Sequence, residues 1–141
     1  MNLTLPLEQQ TDALNRLGFV RGGLRILLRF EGLAALGVAL TAYSQAGAGW
    51  RLFAILFLVP DLSMVGYLAG KSAGAAAYNA AHSFILPLAL LAAALAGHPE
   101  LEPYALIWIA HIGFDRALGF GLKYGSGFGH THLGLVGRAK A

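Results

Sequence analysis

Four long apolar segments, joined by short links, constrain this chain more than any other feature. They cover residues 24–46, 50–69, 73–96 and 103–122. Each approaches the length of about 20 residues that a helix needs to cross the hydrocarbon core of a bilayer. Backbone groups must be hydrogen-bonded within lipid, and the residue alternation of a barrel strand is absent from these segments. The sequence therefore predicts four membrane-spanning helices.

The composition agrees with this prediction. Hydrophobic residues make up 57% of the chain and charged residues 12%, which is about half the charged fraction of an average soluble domain. So few polar side chains cannot cover that apolar surface in water. The fold class expected is all-α, a polytopic membrane protein built as a four-transmembrane-helix bundle. The lack of cysteine excludes disulfides, zinc–thiolate sites and cysteine nucleophiles.

The chain divides into three parts around the predicted bundle. Residues 24–122 would form the transmembrane domain, 1–23 a cytoplasmic or interfacial segment, and 123–141 a cytoplasmic tail that contains glycine and histidine. The first part carries Glu8 and Asp12 among scattered apolar residues. A secretory signal instead has a basic start followed directly by an apolar core. The first apolar segment is therefore expected to be kept as a membrane anchor.

Basic residues predict the orientation. Of the ten Lys and Arg residues, nine lie outside the fourth segment, and eight of these nine fall on one side if both termini share it. Only Arg51 falls on the other side. Cytoplasmic flanks are enriched in Lys and Arg, so the arrangement expected is N-in, C-in. We expect a multi-pass protein of the bacterial inner (cytoplasmic) membrane, with lipid as its partner; a homo-oligomer stays open, and no nucleic-acid-binding module is recognisable.

Ionisable residues inside the apolar segments are the candidates for chemistry, because a charge in hydrocarbon is costly and needs a partner or a function. His111 and Asp115 are four residues apart, so they share one face of a helix. Asp61 follows Pro60, which lacks an N–H group and is expected to kink its helix. A cavity that opens toward the cytoplasm would collect such side chains. The predicted polar site consists of Glu31, Asp61, Asn79, His82, His111, Asp115 and Arg116.

A divalent metal is one interpretation of this site. Imidazole and carboxylate ligands suit zinc, iron or manganese, and helix bundles build metal sites from inward residues on facing helices. The ligands expected are His82, His111, Asp115 and Asp61. A bound metal could activate water, which would make the protein a membrane-embedded metal-dependent enzyme. The chain contains no HExxH or ExxH pair.

Two other interpretations stay open. Intramembrane charges usually pair, so His111–Asp115 and Asp61–Arg116 could only hold helices together in a structural or partner-binding protein. Asp61 and His111 could instead exchange protons in a proton-coupled transporter of small solutes, for which four helices would require a dimer.

The sequence GSGFGHTHLG at 125–134 is a second candidate region. Glycines let backbone N–H groups approach an anion closely. The residues expected to contact an anion or a lipid head group are Lys123, His130 and His132. The alternative is a flexible tail that lies on the membrane.

Glycines also suggest how the helices pack. The chain has 19 of them, including Gly113 in the fourth segment and Gly66, Gly70 and Gly74 at intervals of four. Small residues at such positions let membrane helices approach closely. The alternative is the general enrichment of glycine in membrane helices.

The chain resembles a bacterial membrane family known as domain of unknown function 4260. The segments that carry the resemblance are LRFEGLAAL, LFLVPDLSMVGYLAG, YNAAHSFILP, IWIAHIGFDRALGFGLKYGSGF and THLG, between residues 25 and 134. The resemblance implies a similar membrane topology and brings no established activity.

A looser likeness concerns bacterial membrane-bound metal-dependent hydrolases. These proteins combine a Pro-Asp pair, histidines on helices and a Thr-His pair near a helix end. The elements similar to them here are Pro60-Asp61, His82, His111 and Thr131-His132. The chain lacks the His-Arg pair and the fuller acidic cluster of that pattern, so hydrolysis follows only by analogy.

Overall fold

The computed structural model describes residues 18–137, together with Pro6. Most of the predicted cytoplasmic or interfacial segment 1–23, including Arg16, lies outside the described residues, as do Arg138 and Lys140. The described α-helices are α1 Gly22–Gln45, α2 Trp50–Leu56, α3 Lys71–His82, α4 Ile85–Leu95 and α5 Glu102–Leu118. Two 3₁₀ helices, Val59–Ala69 and Pro99–Leu101, and two short strands, β1 His130–Thr131 and β2 Gly134–Leu135, complete them.

Three helical stretches are long and apolar enough to cross a membrane. They are Gly22–Gln45, Trp50–Ala69 and Lys71–Leu95, and they match the first three predicted segments. The all-helical character expected from the sequence is thereby confirmed, and three of the four predicted spans are long and apolar enough to cross a membrane. The fourth predicted segment is also helical, but α5 ends at Leu118, four residues before its predicted end, because Gly119 takes a left-handed conformation with φ of 95°.

The second stretch is not one uniform α-helix. α2 ends at Leu56, and a 3₁₀ helix runs from Val59 to Ala69, with Pro60 in its first turn. A proline fits there because the N–H groups of a first turn have no partner within the helix. The kink expected at Pro60 is therefore a change of helix type. Eleven residues is long for a 3₁₀ helix, since such helices rarely exceed three or four residues.

The third stretch is broken in its middle, whereas the sequence predicted one continuous helix over 73–96. α3 ends at His82, Ser83 is extended with φ of −92° and ψ of 150°, and α4 begins at Ile85. Pro87 accounts for the break: it has no N–H to donate to the carbonyl of Ser83, and its ring would collide with that carbonyl in a continuous helix. In α4, Pro87 lies in the first turn, where it is tolerated.

Glycines bring the helices into close contact. α1 packs against α5 through Gly32 and Gly113: a Cβ atom on Gly113 would lie 2.7 Å from the carbonyl oxygen of Gly32. The 3₁₀ helix Val59–Ala69 packs against α3, where the ring of Tyr67 lies against Gly74 and a Cβ atom on Gly66 would lie 2.8 Å from the Cβ of Ala77. Small residues thus serve helix packing at these positions, as in other membrane bundles.

The residues after α5 fold back onto the helices. The N–H of Val20 donates to the carbonyl of His132 at 2.9 Å, and the hydroxyl of Tyr124 donates to the carbonyl of Gly18 at 2.9 Å. Thr131 and Leu133 are fully buried. Up to residue 137, this region is therefore a folded segment and not the flexible tail considered from its composition. Glycine-rich sequence predicted mobility, but the tertiary hydrogen bonds and the buried side chains fix it.

Gly32 and Gly37 lie on the same helix and offer a matched test of this packing. A Cβ atom on Gly32 would collide with the Cβ of Arg116, whereas one on Gly37 would meet nothing within 4 Å. We expect Gly32→Ala to destabilise the protein by about 1–3 kcal/mol through overpacking. Gly37→Ala should be neutral or stabilise by up to about 1 kcal/mol, because alanine favours helix.

Thermal unfolding of the two variants in one detergent measures this difference. Equal melting temperatures for both variants would contradict the close α1–α5 contact.

Candidate metal centre

Four side chains from three elements converge inside the bundle. They are Asp61, His82, His111 and Asp115, and each offers one ligand atom within 4.8 Å of the other three. Asp61 lies in the first turn of the 3₁₀ helix Val59–Ala69, and His82 is the last residue of α3. His111 and Asp115 come from adjacent turns of α5. The arrangement could hold a metal ion.

The separations of these atoms are close to those of one coordination sphere. The Nε2 atoms of His82 and His111 are 3.1 Å apart. Oδ1 of Asp61 lies 3.3 Å from the first nitrogen and 3.6 Å from the second, and Oδ2 of Asp115 lies 3.6 and 3.9 Å from them. Ligands at zinc distances of about 2.0–2.2 Å stand about 3.3–3.6 Å apart on a tetrahedron. The donor atoms are therefore nearly placed for tetrahedral coordination.

Burial differs across the four side chains. The imidazoles of His82 and His111 are 1% and 2% exposed, whereas the side chains of Asp115 and Asp61 are 14% and 32% exposed. The histidines thus form the floor of the cluster, and Asp61 lies at its accessible side.

Tyr78 holds two of the four side chains. The Nδ1 atom of His82 is 2.9 Å from the carbonyl oxygen of Tyr78, and because a carbonyl only accepts, this nitrogen carries a proton. The Tyr78 hydroxyl donates to Oδ2 of Asp115 at 3.2 Å, and the Tyr78 ring stacks on the His82 ring at 3.7 Å. Such support fixes the tautomer and the orientation of metal-binding histidines. Nε2 of neutral His82 therefore presents a lone pair to the cluster.

His111 is held by packing. The ring of Phe57 meets it edge-on at 5.3 Å. Its Nδ1 atom is buried and has no hydrogen-bond partner among residues 18–137.

Arg116 does not join the cluster and does not pair with Asp61, as the charge-pairing interpretation considered. Its guanidinium donates to the carbonyl of His82 and to the carbonyl of Phe120, both at 2.9 Å. Trp108 makes a similar bond, from Nε1 to the carbonyl of Ala81 at 2.6 Å. The break after α3 leaves carbonyls without helical partners, and α5 supplies donors for two of them.

Asn79 also serves the fold rather than the cluster. Its amide accepts from the backbone N–H of Lys123 at 2.6 Å and donates to the carbonyl of Lys123 at 2.8 Å. The Lys123 side chain is buried; its Nζ donates to the carbonyl of Phe128 at 2.9 Å and lies 4.6 Å from the centre of the Tyr78 ring. Burial lowers the pKa of Lys123, and the carboxylates of Asp115 and Asp61 oppose that shift. Lys123 therefore faces inward, not toward a head group.

His130 and His132, considered for anion contact, lie apart from the cluster. Nδ1 of His130 is 2.9 Å from Oγ of Ser126. Nδ1 of His132 accepts from the N–H of Leu122 at 2.8 Å. Burial, and then the neighbouring charge of Arg116, lower the pKa of His132, so its neutral form is favoured.

Glu31 is the seventh residue of the predicted polar site, and it is exposed. It lines a separate small cavity of about 160 Å³ together with Arg116 and His132. Of the seven residues, the structure thus brings four together and leaves Glu31, Asn79 and Arg116 outside.

The sequence reasoning missed Tyr78 and Trp108. Tyr78 precedes His82 by four residues and Trp108 precedes His111 by three. Both spacings place an aromatic side chain on the face of a candidate ligand, and that signal could have found them.

Comparison with protein families gives one match. The family model described as Domain of unknown function (DUF4260) matches residues 25–136, which confirms the resemblance drawn from the sequence. The chain matches none of the curated proteins and none of the solved structures with which it was compared.

Asn79 tests how the C-terminal segment is attached to α3. Asn79→Ala removes both hydrogen bonds to the backbone of Lys123. Asn79→Asp keeps the oxygen that accepts from the Lys123 N–H and loses the donor to the Lys123 carbonyl. We expect a graded loss of protection in hydrogen exchange at residues 122–133, because each bond contributes about 0.5–1.5 kcal/mol. Protection equal to wild type in Asn79→Ala would show that other contacts alone hold the segment.

Proposed function

Because the chain belongs to the family of domain of unknown function 4260, whose description assigns no activity, we propose a function from the geometry of the site. The protein binds one divalent metal ion inside the membrane, between Asp61, His82, His111 and Asp115. Under this proposal the protein is a membrane metalloprotein, and its bound metal could support the chemistry of a metal-dependent enzyme.

One observation carries the proposal. Because Nδ1 of His82 donates to the carbonyl of Tyr78, the lone pair of its Nε2 faces Oδ1 of Asp61 at 3.3 Å and Oδ2 of Asp115 at 3.6 Å. Lone pairs on three such atoms repel one another unless a proton or another positive charge lies between them. A divalent ion supplies that charge and matches the near-tetrahedral spacing.

The donor set favours zinc. Imidazole nitrogens and carboxylate oxygens suit zinc, iron and manganese, but near-tetrahedral placement is the usual geometry of zinc. A zinc ion polarises a bound water or carbonyl when one coordination position is open. Tyr78 would then act as the outer support that orients His82 and Asp115.

For the membrane topology, we propose four spans with both termini in the cytoplasm of a bacterium. Residues before α1 form hydrogen bonds with residues after α5, as the N–H of Val20 does with the carbonyl of His132. The two ends of the described chain are therefore proposed to lie on the same side of the membrane. A Cβ atom on Gly125 would lie 3.8 Å from Ser72, and this closeness supports the same side for the link between the second and third stretches. The basic residues there are Arg21, Arg25, Lys71 and Lys123.

This assignment agrees with the positive-inside tendency. In this proposal Glu100, in the link before α5, and Glu102, the first residue of α5, lie on the opposite side together with Arg51.

Metal content is the direct test of the proposed site. Protein purified without chelators should carry about one zinc, iron or manganese per chain by elemental analysis. His82→Ala and His111→Ala should lose it, because each removes one of the two buried imidazoles and leaves a single nitrogen donor for the ion. His98→Ala is the matched control, since His98 is 65% exposed and pairs with Glu100 outside the cluster.

Thermal unfolding separates lost binding from lost folding. Zinc added to metal-stripped wild type should raise the melting temperature, as any ligand that binds the native state does, and should not raise it in His111→Ala. Wild-type protein with neither bound metal nor a zinc-dependent shift would refute the metal site and favour charge pairing.

Single cysteines test the topology, because the natural chain has none. Arg51→Cys and His98→Cys should react with a membrane-impermeant maleimide in intact cells. Lys71→Cys and Ser126→Cys should react only after the cells are permeabilised. Labelling of Ser126→Cys but not Lys71→Cys in intact cells would mean that α5 does not span the membrane.

A further inference from the structure

The four proposed ligands are not held equally, and Asp61 is held least. His82 and Asp115 are bonded by Tyr78, and His111 is enclosed by packing. Among the described residues, the polar side-chain contacts of Asp61 are those with the Nε2 atoms of His82 and His111, at 3.3 and 3.6 Å, and a bound metal would take over the lone pairs of both nitrogens. Asp61 is also the most exposed of the four. It is therefore the ligand that another oxygen can most readily replace.

The remaining ligands would leave an open site. Two imidazoles and one carboxylate with a fourth position for water or substrate are the arrangement of catalytic zinc centres. A displaceable Asp61 would let the centre change from a closed set of four ligands to an open set of three.

An apolar cavity of about 410 Å³ lies beside the cluster. Pro60 and Ala81, which line it, immediately precede Asp61 and His82. Ile107 and Trp108 also line it and precede His111 by one turn on the same face of α5. Residues next to three of the proposed ligands in sequence or on the same helix face therefore line the cavity, which reaches Tyr104 near the start of α5. Its full lining comprises Leu56, Val59, Pro60, Ser63, Ala81, Tyr104, Ile107 and Trp108.

The properties of the cavity indicate what it binds. Its volume lies within the range of about 300–1,000 Å³ typical of small-molecule sites. Val59 and Tyr104 at its edge are exposed, which in a membrane means exposed to lipid. Oγ of Ser63 is buried there and has no hydrogen-bond partner within the described part of the chain. A molecule with one hydrocarbon chain and an oxygen-bearing head can enter from the bilayer and satisfy both the lining and the ion.

From these observations we propose that the site binds a single-chain amphiphile of the fatty-acyl type, with its chain in this cavity and a head-group oxygen in the place of Asp61 at the metal. The inference rests on the proposed metal site and adds the class of ligand. It requires that binding depends on the hydrocarbon chain and that removal of Asp61 spares the metal.

Cobalt provides the measurement, because tetrahedral cobalt(II) absorbs visible light and reports new ligands. Protein loaded with cobalt would be titrated with acetohydroxamate and with octanohydroxamate, which share a metal-binding head and differ in chain length. We expect the octanoyl probe to bind at least about tenfold more tightly, because burial of methylene groups is favourable. Equal affinities for the two probes would overturn the proposed ligand class.

Ala81→Phe is the matched variant, because it adds a large side chain to the cavity lining and changes none of the four proposed ligands. It should keep acetohydroxamate binding and lose the preference for the octanoyl probe, measured in the same detergent so that partition into micelles cancels. A preference unchanged from wild type would show that the chain does not lie in this cavity.

Asp61→Ala and Asp115→Ala separate the roles of the two carboxylates. Asp61→Ala should retain cobalt and bind acetohydroxamate more tightly than wild type, whereas Asp115→Ala should lose cobalt. Equal loss of cobalt in both variants would overturn the displaceable role of Asp61. Wild type that takes up neither cobalt nor zinc would instead refute the metal site itself, so the two failures are distinguishable.

Discussion

The structure depends on how the backbone carbonyl groups at the break between α3 and α4 find hydrogen-bond donors. Pro87 prevents a continuous helix, and carbonyl groups left without partners in an apolar environment cost several kcal/mol each, a figure of the order of a buried unpaired amide. Arg116 donates to the carbonyl of His82 and Trp108 to that of Ala81. Both donors come from α5, so the break is stable only when α5 is in place.

The candidate metal centre follows from the same break. Because α3 ends at His82, the imidazole lies at a helix end, where its Nδ1 bonds the carbonyl of Tyr78 and its Nε2 faces inward. The 3₁₀ helix Val59–Ala69 brings Oδ1 of Asp61 to 3.3 Å from that Nε2. α5 completes the set with His111 and Asp115, and it is also the helix that stabilises the break. Fold and site thus rely on one helix for two separate reasons.

The sequence predicted the helices and most of the important residues, but not how they are grouped. Apolar length was enough for the helical stretches, and the cost of burying a charge singled out Asp61, His82 and His111. Helix rotation was not available from spacing alone, so Glu31 was grouped with residues that it does not face. The break at Ser83 was also missed, because a proline in an apolar run is tolerated when distant donors satisfy the freed carbonyls, and such donors are a tertiary property.

The contacts of the buried side chains Arg116 and Lys123 help to distinguish charge pairing from metal binding. If the cluster existed to pair its carboxylates with arginine or lysine, the nearby side chains of Arg116 and Lys123 would be expected to bond those carboxylates directly. Arg116 instead donates to two carbonyls, and Lys123 donates to the carbonyl of Phe128. Among the described residues the carboxylates of Asp61 and Asp115 therefore face imidazole nitrogens and one tyrosine hydroxyl. Such a group could hold a metal ion, and the proposed divalent metal fits its spacing.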